Sequence, residues 1–466
     1  MAETVVEVRR SADEHSPTIA TSRDWRAALR ALEENPGAEL HANGAMTDDL
    51  LKEVSRIGHI TKLRLGNSKA LTDAGIKHLV HMPQLRVLDI SSTAVTDEGL
   101  GVLRDLPNLE ALSLMQTAVS DAGVTNVAHC KQLKRLNVMW TRTGDGVLRA
   151  LAGHEHFSHF SSGNNLTDAG LALLHDLPVF KTWRNGEIAF ELLSAQAEPN
   201  QLVLRGVFTD NGLNALRGLD GLFALDLDDN ALPITARGIE PLVTLPRLGR
   251  LSCDATDDWM PIIARMPALR FLSVQDTTAT DVGWVSLSAS RSIEKIWGRR
   301  CHGLQTRGFI ALGNMPKLRG LSVSCLNVED AGIATLPDFI ALRELMPMDI
   351  PDAGYRHIGK CSNLEALTLM YCRTTTDAAT EHITGLSNLK RYFNSYTTIT
   401  DRTPQLLSQV DSLEAVTFDA CHGLTNDGVA ALARLPKLRE VRVAGRQLTR
   451  DVLTLFPSGV SVHYSP

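Results

Sequence analysis

The sequence predicts an α/β solenoid, with one short strand per repeat forming a parallel concave sheet and short helices on the convex side. Three observations predict it. A unit of roughly 24 residues recurs about eighteen times. Inside each unit, two apolar residues stand two apart, which is strand spacing. After each strand comes a helix-start signal and a second apolar run at helical spacing.

The repeat is plainest in three consecutive segments. Residues 85–108 read LRVLDISSTAVTDEGLGVLRDLPN, residues 109–132 read LEALSLMQTAVSDAGVTNVAHCKQ, and residues 133–156 read LKRLNVMWTRTGDGVLRALAGHEH. Units start at Ile60, Leu85, Leu109, Leu133, Phe157, Phe180, Pro199, Leu222, Leu248, Leu269, Ile293, Leu318, Leu342, Leu364, Leu389, Leu413 and Leu438, with an imperfect unit from about residue 37. Such periodicity defines a solenoid, whose core grows by stacking.

Within a unit, positions 4 and 6 are the inward strand residues, as in Leu112 and Leu114 or Leu367 and Leu369. Position 9 is a short polar residue or cysteine: Thr93, Thr117, Thr141, Cys301, Cys372, Thr397 and Cys421 among others. There the chain turns inward, and a side chain that bonds locally can satisfy stranded backbone groups. The following T-D-x-G supplies an N-cap hydroxyl and an acidic first turn, as at Thr96-Asp97 and Thr280-Asp281.

This unit resembles the leucine-rich repeat, and its T-D-x-G-L portion is similar to the cysteine-containing repeats of F-box proteins and related bacterial proteins. The resemblance runs from residue 37 to about 464. It implies a leucine-rich-repeat horseshoe. It implies little about function, because repeat scaffolds serve many partners. The N-terminus shows no F-box motif, so a ubiquitin-ligase role does not carry over.

The ends read as caps. Residues 1–20 are expected to be a disordered tail. Residues 21–36 read as a capping helix: Thr21 with Asp24 resembles a capping box, Trp25, Leu29 and Leu32 share a face, and Pro36-Gly37 stops the helix. The solenoid then spans 37–466 and closes on an alternating strand through Val460, Val462 and Tyr464. Repeats degrade over about 180–210, where EIAFELLSAQA (187–197) reads as a helix and a hinge or a drifted repeat is expected.

Formal charge is −6, without the basic footprint that phosphate binding needs. No apolar run reaches membrane-spanning length, and the N-terminus has no signal-peptide core. A cytoplasmic protein is expected, with neither nucleic acid nor membrane as partner and with non-classical export left open. Seven widely spaced cysteines with no C-x-x-C fit inert thiols in a reducing compartment. Six fall on structural positions, and Cys325 is expected at an exposed strand end.

Candidate partner-binding residues lie where large side chains replace small polar ones on the strand face. Met115, Met139 and Trp140 form one group, and Met348, Met370, Tyr371, Phe393 and Tyr396, with Met346, form another. Aromatic and Met residues concentrate binding energy in interfaces. Between them Asp226, Asp228 (with Asp229), Asp254 and Asp276 form an acidic stripe, with Asp228 and Asp254 expected in one register. Arg299 and Arg300 then reverse the sign. Close like charges call for a cation or a basic partner segment.

The run His154-Glu155-His156 is not H-E-x-x-H and falls on no helix; with Cys130 one repeat earlier, a zinc site is geometrically conceivable. No phosphate loop and no G-x-S-x-G occurs. The leading expectation is therefore a non-catalytic protein–protein interaction module without cofactor. Its rivals are a bacterial effector-type adaptor acting in a host cell, and a metal-dependent or catalytic protein using the concave Asp and His residues.

Overall fold

The computed structural model describes residues 6–10, 18–22, 24–194, 199–227, 233–370, 372 and 374–465. The chain packs into two compact units, Met1–Leu248 and Gly249–Pro466. Each is a stack of leucine-rich repeats.

In the first unit, the described strands Ala38–His41, Lys62–Arg64, Val87–Asp89, Ala111–Ser113, Arg135–Asn137, His159–Ser161, Gln201–Leu204 and Ala224–Leu227 pair in parallel, each with the next. In the second, the strands from Arg250–Ser252 to Ser461–Ser465 do the same. Position-4 residues such as Leu88, Leu112 and Leu136 stack in register and are buried. Behind them lie short helical turns whose apolar residues, for example Leu100, Val124 and Leu171, close the core.

The T-D-x-G element does more than start a helix. Thr72 caps its own turn by accepting from the Ala74 N–H. Its own N–H and hydroxyl donate to the two oxygens of Asp48, one repeat earlier, at 2.8 and 2.6 Å. The same clasp joins Asp73 to Thr96, Asp145 to Thr167 and Asp210 to Thr235 in the first unit. In the second it joins Asp257 to Thr280, Asp352 to Thr376, Asp377 to Thr400 and Asp401 to Thr425. The glycine is part of the clasp: a Cβ on Gly123 would lie 2.6 Å from Asp97 Cα.

Position 9 works as its residue types suggest. Thr93, Thr117 and Thr141 donate to the carbonyls of Ile90, Leu114 and Val138. Cys301 and Cys421 occupy the same position, with their thiols 3.4 and 3.5 Å from the carbonyls of Val274 and Asn394. All seven cysteines are buried, including Cys325, which was expected to be exposed. Desolvation pushes the thiols of Cys130, Cys301 and Cys361 up to about 12.

Several expectations need correction. The segment 1–20, read as a disordered tail, contains a strand at Val6–Arg10 that pairs antiparallel with Thr18–Ser22 on one side and Ala38–His41 on the other. Val6 and Val8 are buried: the first parallel strand has an open edge, and a short alternating segment covers it. The capping helix is Trp25–Glu34, with Asp24 rather than Thr21 as N-cap, because Thr21 belongs to the preceding strand.

The unit expected at Phe180 supplies no strand. His159–Ser161 pairs directly with Gln201–Leu204, and the clasp skips with it, from Asp168 to Thr209 at 2.6 and 2.8 Å. Phe180 instead sits buried in a helical turn, Pro178–Lys181. Of the helix expected over 187–197, only a 3-10 turn at Phe190–Leu192 forms, and 195–197 lie outside the described residues. The inserted segment is anchored by buried Asn200, whose amide donates to the Gly221 carbonyl at 2.7 Å. No helix among the described residues is long and apolar enough to cross a membrane.

Candidate interaction surface

Each strand presents positions 3 and 5 away from the core, and positions 7 and 8 carry that face into the turn. Position 8 is unusual. In successive repeats Asn67, Ser92, Gln116 and Trp140 all have positive φ, between 54° and 64°. In the second unit Asp349, Tyr396 and Ala420 do likewise. Small or amide residues tolerate this left-handed geometry, whereas bulky ones are genuine outliers. Trp140 and Tyr396 nevertheless occupy it, and both are exposed, at 42% and 45%.

Around Trp140 a surface assembles. Met115 and Met139, at position 7 of adjacent repeats, are half-buried. The Asn137 amide lies 3.9 Å from Met115 Sδ. The Arg205 guanidinium lies over the Trp140 ring, 5.6 Å from its centroid. At position 7 the repeat between theirs has Gly163, where a Cβ would press on the Thr143 hydroxyl. Sequence reasoning did not include Arg205, because the insertion hides that it stands only two strands from Trp140.

In the second unit Met348, Met370 and Phe393 are half-buried on the strand face, with Tyr396 exposed at the following turn. Tyr371 lies outside the described residues. Sequence reasoning missed Trp297, half-buried at position 5 and two strands from Met346. The signal was available: Trp297, Met346 and Phe393 share one repeat position. Alongside, at position 3, Glu344 accepts from Lys295 at 3.2 Å and from Arg391 at 2.7 Å. The intervening strands carry Gly320 and Ala366 there, small enough for the long side chains to cross.

The acidic stripe differs from its expectation. Asp228 and Asp229 lie outside the described residues, so the register with Asp254 falls outside them too. Asp226 is a strand residue level with Val203 in the first unit. In the second, Asp254 accepts from the Asp276 backbone N–H at 3.1 Å. Arg300 grips Asp276 through two guanidinium nitrogens. That hydrogen bonding, with the charges of Arg300 and Arg299, holds the Asp276 carboxyl below the usual range against a smaller opposing effect of burial. The cation expected from a partner is thus already supplied by the chain at Asp276.

The histidines do not converge. His154 is buried, its Nδ1 3.0 Å from the Leu151 carbonyl, and desolvation lowers its pKa. Glu155 and His156 point to solvent. Cys130 Sγ is 3.5 Å from the Leu103 carbonyl. Among the described residues no group of three or more His, Cys, Asp or Glu side chains is placed to hold a metal ion.

A family model described as "Leucine Rich repeat" matches residues 81–103. That window covers one turn of the stack described above, and the architecture is that of a leucine-rich-repeat solenoid. Solved structures of similar architecture include an internalin from Listeria monocytogenes, at 15% identity over 90% of this chain and 94% of that one, TM-score 0.35. A TLR13–ssRNA13 complex matches at 15% identity over 89% and 70%, TM-score 0.48. The plant peptide hormone receptor RGFR1 in complex with RGF2 matches at 14% over 89% and 76%, TM-score 0.34. No curated protein matches the chain in sequence.

Proposed function

We propose that this protein is a non-catalytic interaction module that binds a partner protein on its strand face. Trp140 with Met115 and Met139 would form one contact surface. Tyr396 with Phe393, Met348, Met370 and Tyr371 would form the other. The observation that carries this reading is the pair of exposed aromatic residues held in left-handed backbone, Trp140 and Tyr396. Backbone held in a sparsely populated region is found where function outweighs its cost. Large aromatics ringed by half-buried apolar groups are also the usual composition of binding hot spots. Asp254, Arg299 and the Asp276–Arg300 pair in the second unit, and Asp226 with Asp228 in the first, would set orientation rather than affinity.

The test is affinity capture with purified wild type against Trp140→Ser and Tyr396→Ser variants, each checked for unchanged melting temperature. A protein retained by wild type and lost by at least one variant supports the reading. A specific partner retained equally by both variants overturns the site assignment.

A further inference from the structure

Three asparagines of the chain are followed by glycine: Asn43, Asn185 and Asn211. Such a pair carries its own chemistry. The glycine backbone nitrogen can attack the asparagine side-chain carbonyl carbon, Cγ, because glycine has no Cβ to crowd the approach. Ring closure requires the asparagine Cβ and that nitrogen to eclipse about the Cα–C bond. Neither a right-handed helix nor a left-handed turn supplies that torsion. The pair reacts only where its backbone can rotate out of regular structure.

Two of the pairs are held. Asn211-Gly212 lies inside the helix Asp210–Asn214. Gly212 is packed there: a Cβ would collide with the Asp168 carboxylate, and the Gly212 carbonyl accepts from the Ala215 N–H at 3.0 Å. Asn43-Gly44 forms a left-handed turn, with φ of 46° and 87°. The Ala45 N–H closes it by donating to the Ala42 carbonyl at 2.9 Å. Rotation at either place breaks a backbone hydrogen bond.

Asn185-Gly186 is not held. It lies in the inserted segment, between the turns Pro178–Lys181 and Phe190–Leu192, with no helix or strand of its own. Both residues are exposed, and nothing stands within 4 Å of where a Gly186 Cβ would be. Among the described residues the Gly186 N–H meets no acceptor. The Asn185 amide donates to Asn200 Oδ1 at 3.5 Å, a length at which a hydrogen bond is weak. Asn200 is the anchor of the insertion: it is buried, and its own amide donates to the carbonyls of Gly221 at 2.7 Å and Val179 at 3.4 Å.

We propose that Asn185-Gly186 is a self-modifying site, which water converts through a succinimide to aspartate and isoaspartate. Hydroxide takes the Gly186 N–H proton. The nitrogen bonds to Asn185 Cγ as the Cγ–Nδ2 bond breaks, and ammonia leaves with a proton from water. Water then opens the ring at either carbonyl. Cleavage at Cγ leaves aspartate; cleavage at the Asn185 backbone carbonyl leaves isoaspartate, with the chain running through Cγ. Either product exchanges ammonia for water and carries a carboxylate. The donor to Asn200 Oδ1 becomes an acceptor facing an acceptor, and the anchor of the insertion loosens.

The test is peptide mapping by mass spectrometry of the full-length protein aged at mildly alkaline pH, against an unaged control. Asn185 is expected to gain the mass that separates a carboxyl from an amide, as a mixture of aspartate and isoaspartate. It should convert about fivefold or more faster than Asn43 or Asn211, the cost there of opening one backbone hydrogen bond. Gly186→Ala crowds the attacking nitrogen and should slow conversion, while its open surroundings let the variant fold unchanged. Hydrogen exchange reads the loosened anchor through the Gly221 amide, which donates to the Phe180 carbonyl at 2.8 Å. Asn185→Asp should speed that exchange by about twofold or more, and Asn185→Gln, which keeps an amide, should not. An Asn185 that stays an amide, equal rates at all three asparagines, or conversion unmoved by Gly186→Ala would each overturn the site. Equal Gly221 exchange in Asn185→Asp and Asn185→Gln would overturn the loosening.

Discussion

Asp97 accepts two hydrogen bonds from one residue of the following repeat: the Ser120 backbone N–H at 2.7 Å and the Ser120 hydroxyl at 2.6 Å. Ser120 in turn caps its own helix by accepting from the Ala122 N–H. In the repeats that carry the clasp, the aspartate of T-D-x-G thus holds the start of the next helix, and the pattern is a contact between repeats written within one repeat. Bonds to an ionised group are each worth about 1.5–3 kcal/mol when removed. With two such bonds at a half-buried site, Asp97→Ala should lower the urea-derived unfolding free energy by about 3 kcal/mol, and Asp97→Asn by less because one acceptor remains. Gly123→Ala should also destabilise, since its Cβ would press on the Asp97 backbone. The exposed neighbour Asp105→Ala should stay within about 0.5 kcal/mol. Equal effects at Asp97 and Asp105 would refute the clasp.

The stack was legible because periodicity carries it. The spacing of Leu112 and Leu114, or of Thr93 and Thr117, encodes strand and turn directly. The clasp was not legible, since Asp97 and Ser120 are 23 residues apart and each already has a sufficient local role as helix-start residue. Phe180 misled for the opposite reason. It has the right residue type at about the right interval, yet the strand two repeats' length away at Gln201 completes the sheet, and only pairing reveals it. The segment Val6–Arg10 resembled a tail because its burial depends on the open edge of Ala38–His41, a property of the sheet. At the candidate surface, composition pointed to Trp140 and Tyr396 but could not show their positive φ. Trp297 was passed over because a single tryptophan beside basic residues shows no pattern until its row is aligned.

The thiols give a second check. All seven cysteines are buried, and desolvation raises Cys130, Cys301 and Cys361 to about 12. The thiolate is the reactive form, so folded protein should react slowly with an excess of a thiol-specific disulfide reagent at pH 8. In denaturant all seven should titrate promptly. One stoichiometric fast thiol in folded protein would mark a cysteine that is accessible, contrary to this burial.

Asp276 supplies a pH test with a definite sign. Its folded-state pKa is lowered chiefly by the hydrogen bonds from Arg300. Its contribution to stability is therefore present above the unfolded aspartate pKa and lost as pH falls through the lower folded value. Arg300→Ala should move the Asp276 carboxyl back up, read by NMR titration of its side-chain carbon. The stability difference between wild type and variant should shrink on acidification. The pair is partly exposed, with 32% of the Asp276 side chain accessible, so the energetic effect should be small and weaken in salt. An Asp276 titration unmoved by Arg300→Ala would mean that another group holds it.

Trp140 separates function from stability most cleanly. Two effects compete when it is replaced by asparagine, the residue found at the same position as Asn67 with φ 64°. Relief of left-handed strain favours the variant by about 1 kcal/mol. Loss of the ring under Arg205 costs about 0.5–1 kcal/mol at an exposed site. The two nearly cancel, so Trp140→Asn should unfold within about 1 kcal/mol of wild type in urea. Removing a core tryptophan would instead cost about 3–5 kcal/mol, and Trp284, fully buried in the second unit, is the internal comparison. If Trp140 serves binding, the same variant should lose partner affinity while keeping its melting temperature. A Trp140→Asn variant as unstable as Trp284→Ala would show that the ring is part of the packing, and would remove the main support for a contact surface at that turn.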